Sequence, residues 1–80
     1  MNFLEITSAN YLQGYCLQVT FNNGESKIMD FTNIVNTYPV FSPLKDVHLF
    51  ANFTITDTLE WLNGRIDIAP EYVYEYAQPA

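Results

Sequence analysis

The chain has very few cations. Lys27, Lys45 and Arg65 are the only Lys or Arg residues in eighty, set against nine Asp and Glu, for a formal net charge of −6. Affinity for nucleic acid comes mainly from cations that neutralise phosphates and release counterions. These three stand singly, with no basic run and no interleaving of basic and aromatic residues. Direct binding to nucleic acid or to an anionic membrane is therefore not expected. Cysteine is equally scarce. Cys16 stands alone, which excludes an internal disulfide, and a secreted domain of this size ordinarily carries several. Residues 1–8 hold neither a basic n-region nor an apolar h-region. No apolar run approaches the ~20 residues that a bilayer requires. The triplet Asn52-Phe53-Thr54 fits the N-glycosylation pattern, but without an export signal the match is coincidence. These absences point to the cytoplasm.

What is present is apolar and aromatic. Apolar residues make up 49% of the chain and aromatics 16%, enough to build one core and too many for a disordered polymer. A chain of this length buries only roughly 60% of its unfolded surface, so residues 1–80 are read as a single, marginally stable domain. No repeat, charge block or low-complexity stretch divides it.

Residues 15–31 carry the clearest local signal. Tyr15, Leu17, Val19 and Phe21 alternate with Cys16, Gln18 and Thr20, the period of a strand with one buried face. Asn23-Gly24 follows, a pair suited to a type I′ turn in which both central residues take positive φ. A two-residue turn there pairs Phe21 with Ser26, Val19 with Ile28 and Leu17 with Asp30, and Thr20 with Lys27, Gln18 with Met29 and Cys16 with Phe31 on the other face. Asp30 would then end an apolar row, so the strand is expected to stop there, with Asp30 capping a turn or short helix over residues 32–35.

Residues 36–50 read as irregular, because Pro39 and Pro43 exclude long helices. Ser42-Pro43 can open a short one, with Leu44, Val47 and Phe50 as its inner stripe and Lys45, Asp46 and His48 turned away. A second hairpin is expected over residues 51–62. A three-residue loop, Thr56-Asp57-Thr58, sets Ile55 opposite Leu59 and Phe53 opposite Trp61, whereas a two-residue loop would put Glu60 on the apolar row. Pro70-Glu71 suits a helix start, giving Val73, Tyr76 and Ala77 an inner stripe, although Tyr72, Tyr74 and Tyr76 also alternate as in a strand. Phe3, Leu4 and Ile6 supply a first strand, separated from the next by residues 10–14. The expected architecture is an α+β two-layer domain: about five short, mostly antiparallel strands in two hairpins, with one or two short helices on one face.

Phe21, Gly24, Asp30 and Phe31, then Phe41, Leu44, Asp46 and Phe50, then Trp61, Asn63, Gly64, Asp67, Pro70, Glu71 and Tyr74 fall in the order and nearly the spacing of one sequence signature. On these residues the chain resembles the bacterial domain-of-unknown-function family 2442 over nearly its whole length. Two positions depart from the commoner pattern. Arg65-Ile66 stands where one residue is usual, and Val73 replaces a leucine. The resemblance implies an α+β fold with an antiparallel sheet and no defined activity. Some relatives carry a helix-turn-helix, but this chain shows none, so DNA contact does not carry over.

Candidate chemistry is sparse. His48 is the single side chain that titrates near neutrality without help, and a lone histidine beside an apolar stripe is ordinarily a surface or packing residue. Cys16 has no histidine close in sequence and reads as an inert thiol. Asp67 and Glu71 are four apart, but Pro70 interrupts any helix that would align them, so a paired-acid active site is not expected. Asp67 is read instead as accepting backbone N–H bonds from the Asn63-Gly64 turn or the following helix, and Trp61 as a core anchor with its indole N–H bonded. Asn23, Gly24 and Asp30 are read as turn or cap residues. No catalytic residue, cofactor or metal site is expected.

The functional expectation is a non-catalytic interaction module, a homodimer or the partner of another small bacterial protein. Two other readings stand beside it: an accessory component of a transcription regulator or toxin–antitoxin-like pair, and a small enzyme using Asp30, His48, Asp67 or Glu71. Self-association is expected to use Tyr72, Tyr74 or Tyr76 or an exposed sheet edge, away from the acids.

Overall fold

A computed structural model describes residues 3–80. In chain order they form β1 (Ile6–Gln13), β2 (Cys16–Phe21), β3 (Ser26–Asp30), α1 (Thr32–Thr37), a 3₁₀ segment (Pro39–Lys45), α2 (Val47–Ala51), β4 (Thr54–Ile55), β5 (Leu59–Trp61), β6 (Ile66–Ile68), α3 (Pro70–Tyr76) and β7 (Gln78–Pro79). The fold is α+β with antiparallel pairing throughout, as the sequence implies. The strands divide between two sheets, ordered β1-β2-β3-β7 and β4-β5-β6. The Ile6 amide, donating to the Asp57 carbonyl at 3.0 Å, ties the start of β1 to the β4–β5 loop.

The first hairpin forms where expected but one residue out of register. Leu17 faces Met29, Gln18 faces Ile28, Val19 faces Lys27 and Cys16 faces Asp30. The cause lies in the turn. Gly24 has φ +89 while Asn23 stays at negative φ, so the connection is three residues long rather than a two-residue type I′ turn. Both asparagines are otherwise engaged. The Asn23 side chain accepts from the Glu25 amide, and Asn22 accepts from the Glu5 amide and donates to the Phe3 carbonyl. The register buries Met29 beside Leu17 and turns Asp30 to the exposed face. Asp30 then accepts from the amide and hydroxyl of Thr32, satisfying a first-turn donor of α1 from just outside the N-cap, Phe31.

Strand β1 is longer than its composition suggests. Residues 10–13, read as a connection, continue it, and Gly14 at φ +54 closes a two-residue turn. Apart from Ile6 and half-buried Ala9 the strand lies exposed at the sheet edge, so it shows almost no hydrophobic alternation.

The helical stretch is broken at Asp46, which accepts from the amides of His48 and Leu49 and caps α2. Ser42 caps nothing; Pro43 lies inside the 3₁₀ segment that precedes this break. Leu44 and Phe50 are buried and Val47 half-buried, so the expected stripe survives across two short elements. Ala51 ends α2 instead of starting a strand, which shortens the second hairpin to Thr54 opposite Glu60 and Ile55 opposite Leu59, the predicted pairing. Pro70 opens α3, with Val73 and Ala77 inward and Tyr76 outward, 56% exposed, rather than on the inner stripe.

Trp61 sits where these elements meet. It is fully buried, stacks on Phe50 with ring centroids 6.0 Å apart, and donates its indole N–H to the Phe50 carbonyl at 2.8 Å. Phe31 closes on both rings. Tyr15 reaches the same cluster, edge-on to Phe50, with its hydroxyl donating to the Lys45 carbonyl.

Between β5 and β6 the chain turns through residues 62–65. Leu62, Asn63 and Gly64 all take positive φ, at 55, 58 and 84°, and the Arg65 amide donates to the Leu62 carbonyl. Asn63-Gly64 suits such a turn, but leucine strains in this region.

Two stability changes follow. Trp61→Phe removes the donor to a buried carbonyl and leaves a gap beside Phe50, costing about 2–4 kcal/mol in urea unfolding. Leu62→Asn relieves the left-handed strain at an exposed position and should raise the unfolding midpoint by about 0.5–1 kcal/mol equivalent. A midpoint unchanged in the first variant, or lowered in the second, contradicts the corresponding assignment.

Candidate functional site

The segment from Trp61 to Tyr74 runs down β5, across the strained turn, along β6 and into α3. Alternation in β6 buries Ile66 and Ile68 and turns Asp67 outward. Asp67 lies directly opposite Glu60, and two carboxylates on neighbouring strands repel. The expected bonds from the Asn63-Gly64 turn to Asp67 are not made: its side chain has no hydrogen-bond partner among the described residues, because the strand points it to solvent and away from the turn. Asn63 and Gly64 serve the turn alone, through their φ angles.

The bend from β6 into α3 opens a groove on either side. One, of about 340 Å³, is floored by Ile34, Phe41, Ile68 and Ala69, with Tyr38, Val40 and Tyr72 at its walls and Asp67 at its rim. The other, of about 470 Å³, shares Asp67, Ile68 and Ala69 with the first and adds the apolar Phe3, Leu4 and Pro70 together with Glu5, Asp57, Thr58 and Glu71. Asp67 and Glu71, kept apart by the helix argument, thus meet at one groove because a strand-to-helix corner replaces the helix. Among the described residues, no group of three or more His, Cys, Asp or Glu is placed to hold a metal ion. Neither groove was legible in the sequence, since each is walled by segments far apart along the chain, residues 34–41 and 67–72 in the first and residues 3–5, 57–58 and 67–71 in the second. Val40 and Tyr38, exposed apolar side chains in a proline-rich stretch, were the available signal.

The other candidate residues are dispersed. His48 is exposed on α2, and Asp46 is committed to capping that helix. The Cys16 thiol is pushed up by burial and then by the facing Asp30, which holds it in the unreactive thiol form. Asp30 is occupied by Thr32. The tyrosines split by role. Tyr72 lines the apolar groove, its phenol pushed up by burial and then by neighbouring Tyr38. Tyr76 is exposed and packs on Tyr72 with centroids 4.6 Å apart. Tyr74 faces the opposite way: it meets Phe21 edge-on, and Lys27 lies 3.8 Å over its ring while donating to the Tyr74 carbonyl at 2.8 Å. That pair bolts α3 to β3.

The Tyr74 hydroxyl is held protonated chiefly by a hydrogen bond to Glu25, with burial and the Glu25 charge adding and Asn23 opposing. A phenol whose folded pKa is raised contributes stability below its unfolded value of about 10 and loses it as pH rises through the folded value. Tyrosine ring resonances followed against pH should show Tyr74 ionising above the ordinary range, and Glu25→Gln should bring it down. Titration of Tyr74 at the ordinary value in the unsubstituted protein refutes the Glu25 contact.

A family model described as "Protein of unknown function (DUF2442)" matches residues 6–79. No curated protein and no solved structure matches the chain. The matched residues take in both hairpins, the aromatic cluster around Trp61 and the strand-to-helix corner that opens the two grooves. The chain belongs to the DUF2442 family.

Proposed function

We propose that the chain is a non-catalytic interaction module that works in the cytoplasm and pairs with a second copy of itself through β1. The observation that carries this reading is the edge. β1 is eight residues long, terminates its sheet, and has no charged residue from Ile6 to Gln13 in a chain of net charge −6. An exposed edge presents unpaired backbone donors and acceptors to another strand. The remaining edges are poorer. β4, β6 and β7 have two, three and two residues, and β7 carries Pro79. Two copies that repel elsewhere can meet along a neutral strip. Bulges near Thr7 and Leu12 confine regular pairing to residues 8–11, so the association is weak. The raised Cys16 pKa and the capping duties of Asp30 and Asp46 also favour a structural reading over a catalytic one.

Sedimentation equilibrium tests this. A dimer should form at roughly 100 μM and strengthen when salt screens the repulsion between copies. Asn10→Glu, a change at an exposed position, should leave the fold intact and return the protein to monomer. A monomer in low and moderate salt alike overturns self-pairing.

A further inference from the structure

Two different cavities sharing one wall make a composite surface, apolar on one side of Asp67 and carrying carboxylates among apolar residues on the other. On the apolar side, Ile34, Phe41 and Ile68 form a floor under Tyr72. The groove's walls are themselves open to solvent, Tyr38 49% exposed and Val40 59%, and Tyr76, packed on Tyr72, extends the apolar surface beyond it at 56%. A small molecule would leave those side chains in water, whereas an extended or helical segment would cover them. Tyrosine is enriched at such interfaces because it offers large contact area at small entropic cost. Across the shared wall Glu5, Asp57 and Glu71 join Asp67 in a groove that also holds Phe3 and Leu4, and among the described residues no Lys or Arg lines either groove. Lys27 is already engaged by Tyr74. Asp67 and Glu60 face each other with no cation between them among the described residues, and a cation placed there would relieve their repulsion.

We propose that these paired grooves dock a segment of a different, basic protein, with a large apolar side chain in the slot over Phe41 and Ile68 and an adjacent Lys or Arg against Asp67 and Glu71. Charge complementarity selects this occupant. A second copy would bring another −6 chain against four carboxylates, so the surface is distinct from the neutral edge β1, and the proposal extends the interaction-module reading to a hetero-partner.

Model peptides test it in the intact chain. Amide chemical shifts of the isotope-labelled protein are followed during titration with three blocked peptides: Lys-Trp-Lys-Lys, Lys-Ala-Lys-Lys and Glu-Trp-Glu-Glu. The first should produce saturable shifts at Phe41, Ile68, Ala69 and Tyr72, with a Kd on the order of 0.1–1 mM for so short a segment. Each of the other two should bind at least roughly tenfold more weakly, since each keeps one half of the recognition. Asp67→Asn should weaken the first peptide several-fold while leaving the thermal midpoint unchanged or raised, because it removes the clash with Glu60. Equal binding of the alanine peptide reduces the surface to non-specific charge and overturns the proposal, as does equal binding of the acidic peptide. Shifts confined to β1, or none, also overturn it. Loss of dimerisation in Asn10→Glu leaves peptide binding untouched, so failure of the edge and failure of the grooves are told apart. If instead Val40→Lys dissolves the dimer, the apolar slot belongs to the copy-to-copy contact and the hetero-partner reading fails.

Discussion

The indole N–H of Trp61 reaching the carbonyl of Phe50 is the contact on which the arrangement of the two sheets depends. Phe50 lies in the last turn of a helix of only five residues, too short to hold itself together, and its carbonyl belongs to the terminal set that has no partner within the helix. Trp61, on the middle strand of the three-stranded sheet, supplies that partner and covers the Phe50 ring at the same time. A single side chain therefore joins β5 to α2. Phe31 and Tyr15, packed on the same rings, bring in the four-stranded sheet. In a chain this small, with few residues to spare for a core, one such junction organises most of the packing.

The sequence was legible where one face of an element is buried and the other is not. Leu17, Val19 and Phe21 announce β2, the odd loop at residues 56–58 fixes the pairing of β4 with β5, and Pro70 marks α3 against the competing alternation of its tyrosines. It was less legible where side chains serve the backbone. Asn23-Gly24 signals a turn, yet Asn22 is drawn away to bind residues 3 and 5, and the loop lengthens to three residues. The discomfort of a carboxylate at the end of an apolar row already pointed to that error, since moving the register by one residue exposes Asp30 and buries Met29. Asp46, a favourable N-cap three residues before the apolar pair Leu49-Phe50, carries the helix start that Ser42-Pro43 imitates. The place of Asp67 in the motif suggests a carboxylate bonded to the turn or to the start of the following helix. Strand geometry alone sends it outward, and no one-dimensional spacing shows that Glu60 stands across from it.

The family match supplies kinship without an activity, so function has to be argued from surface chemistry. Two features separate cleanly. The β1 edge is long and neutral, and backbone groups are what it offers. The strand-to-helix corner offers side chains, apolar ones on one flank and carboxylates among apolar residues on the other, with Asp67 between them. Conventional nucleophile and base candidates are dispersed or otherwise engaged: Cys16 faces a carboxylate, Asp30 holds Thr32, and His48 stands on the outer side of α2.

Pro79, at the far edge of the four-stranded sheet, has a consequence for how copies can assemble. It lies opposite Lys27 on β7, and a proline has no N–H to offer an incoming strand. One margin of the sheet is thereby closed to extension while β1 at the other remains open. A sheet open on both margins could add copies without limit and grow into a fibre. Under the proposed β1 pairing, with one open margin in this sheet, strand addition would consume both β1 edges at the first encounter, related by a two-fold axis, and growth through this sheet would terminate at the pair.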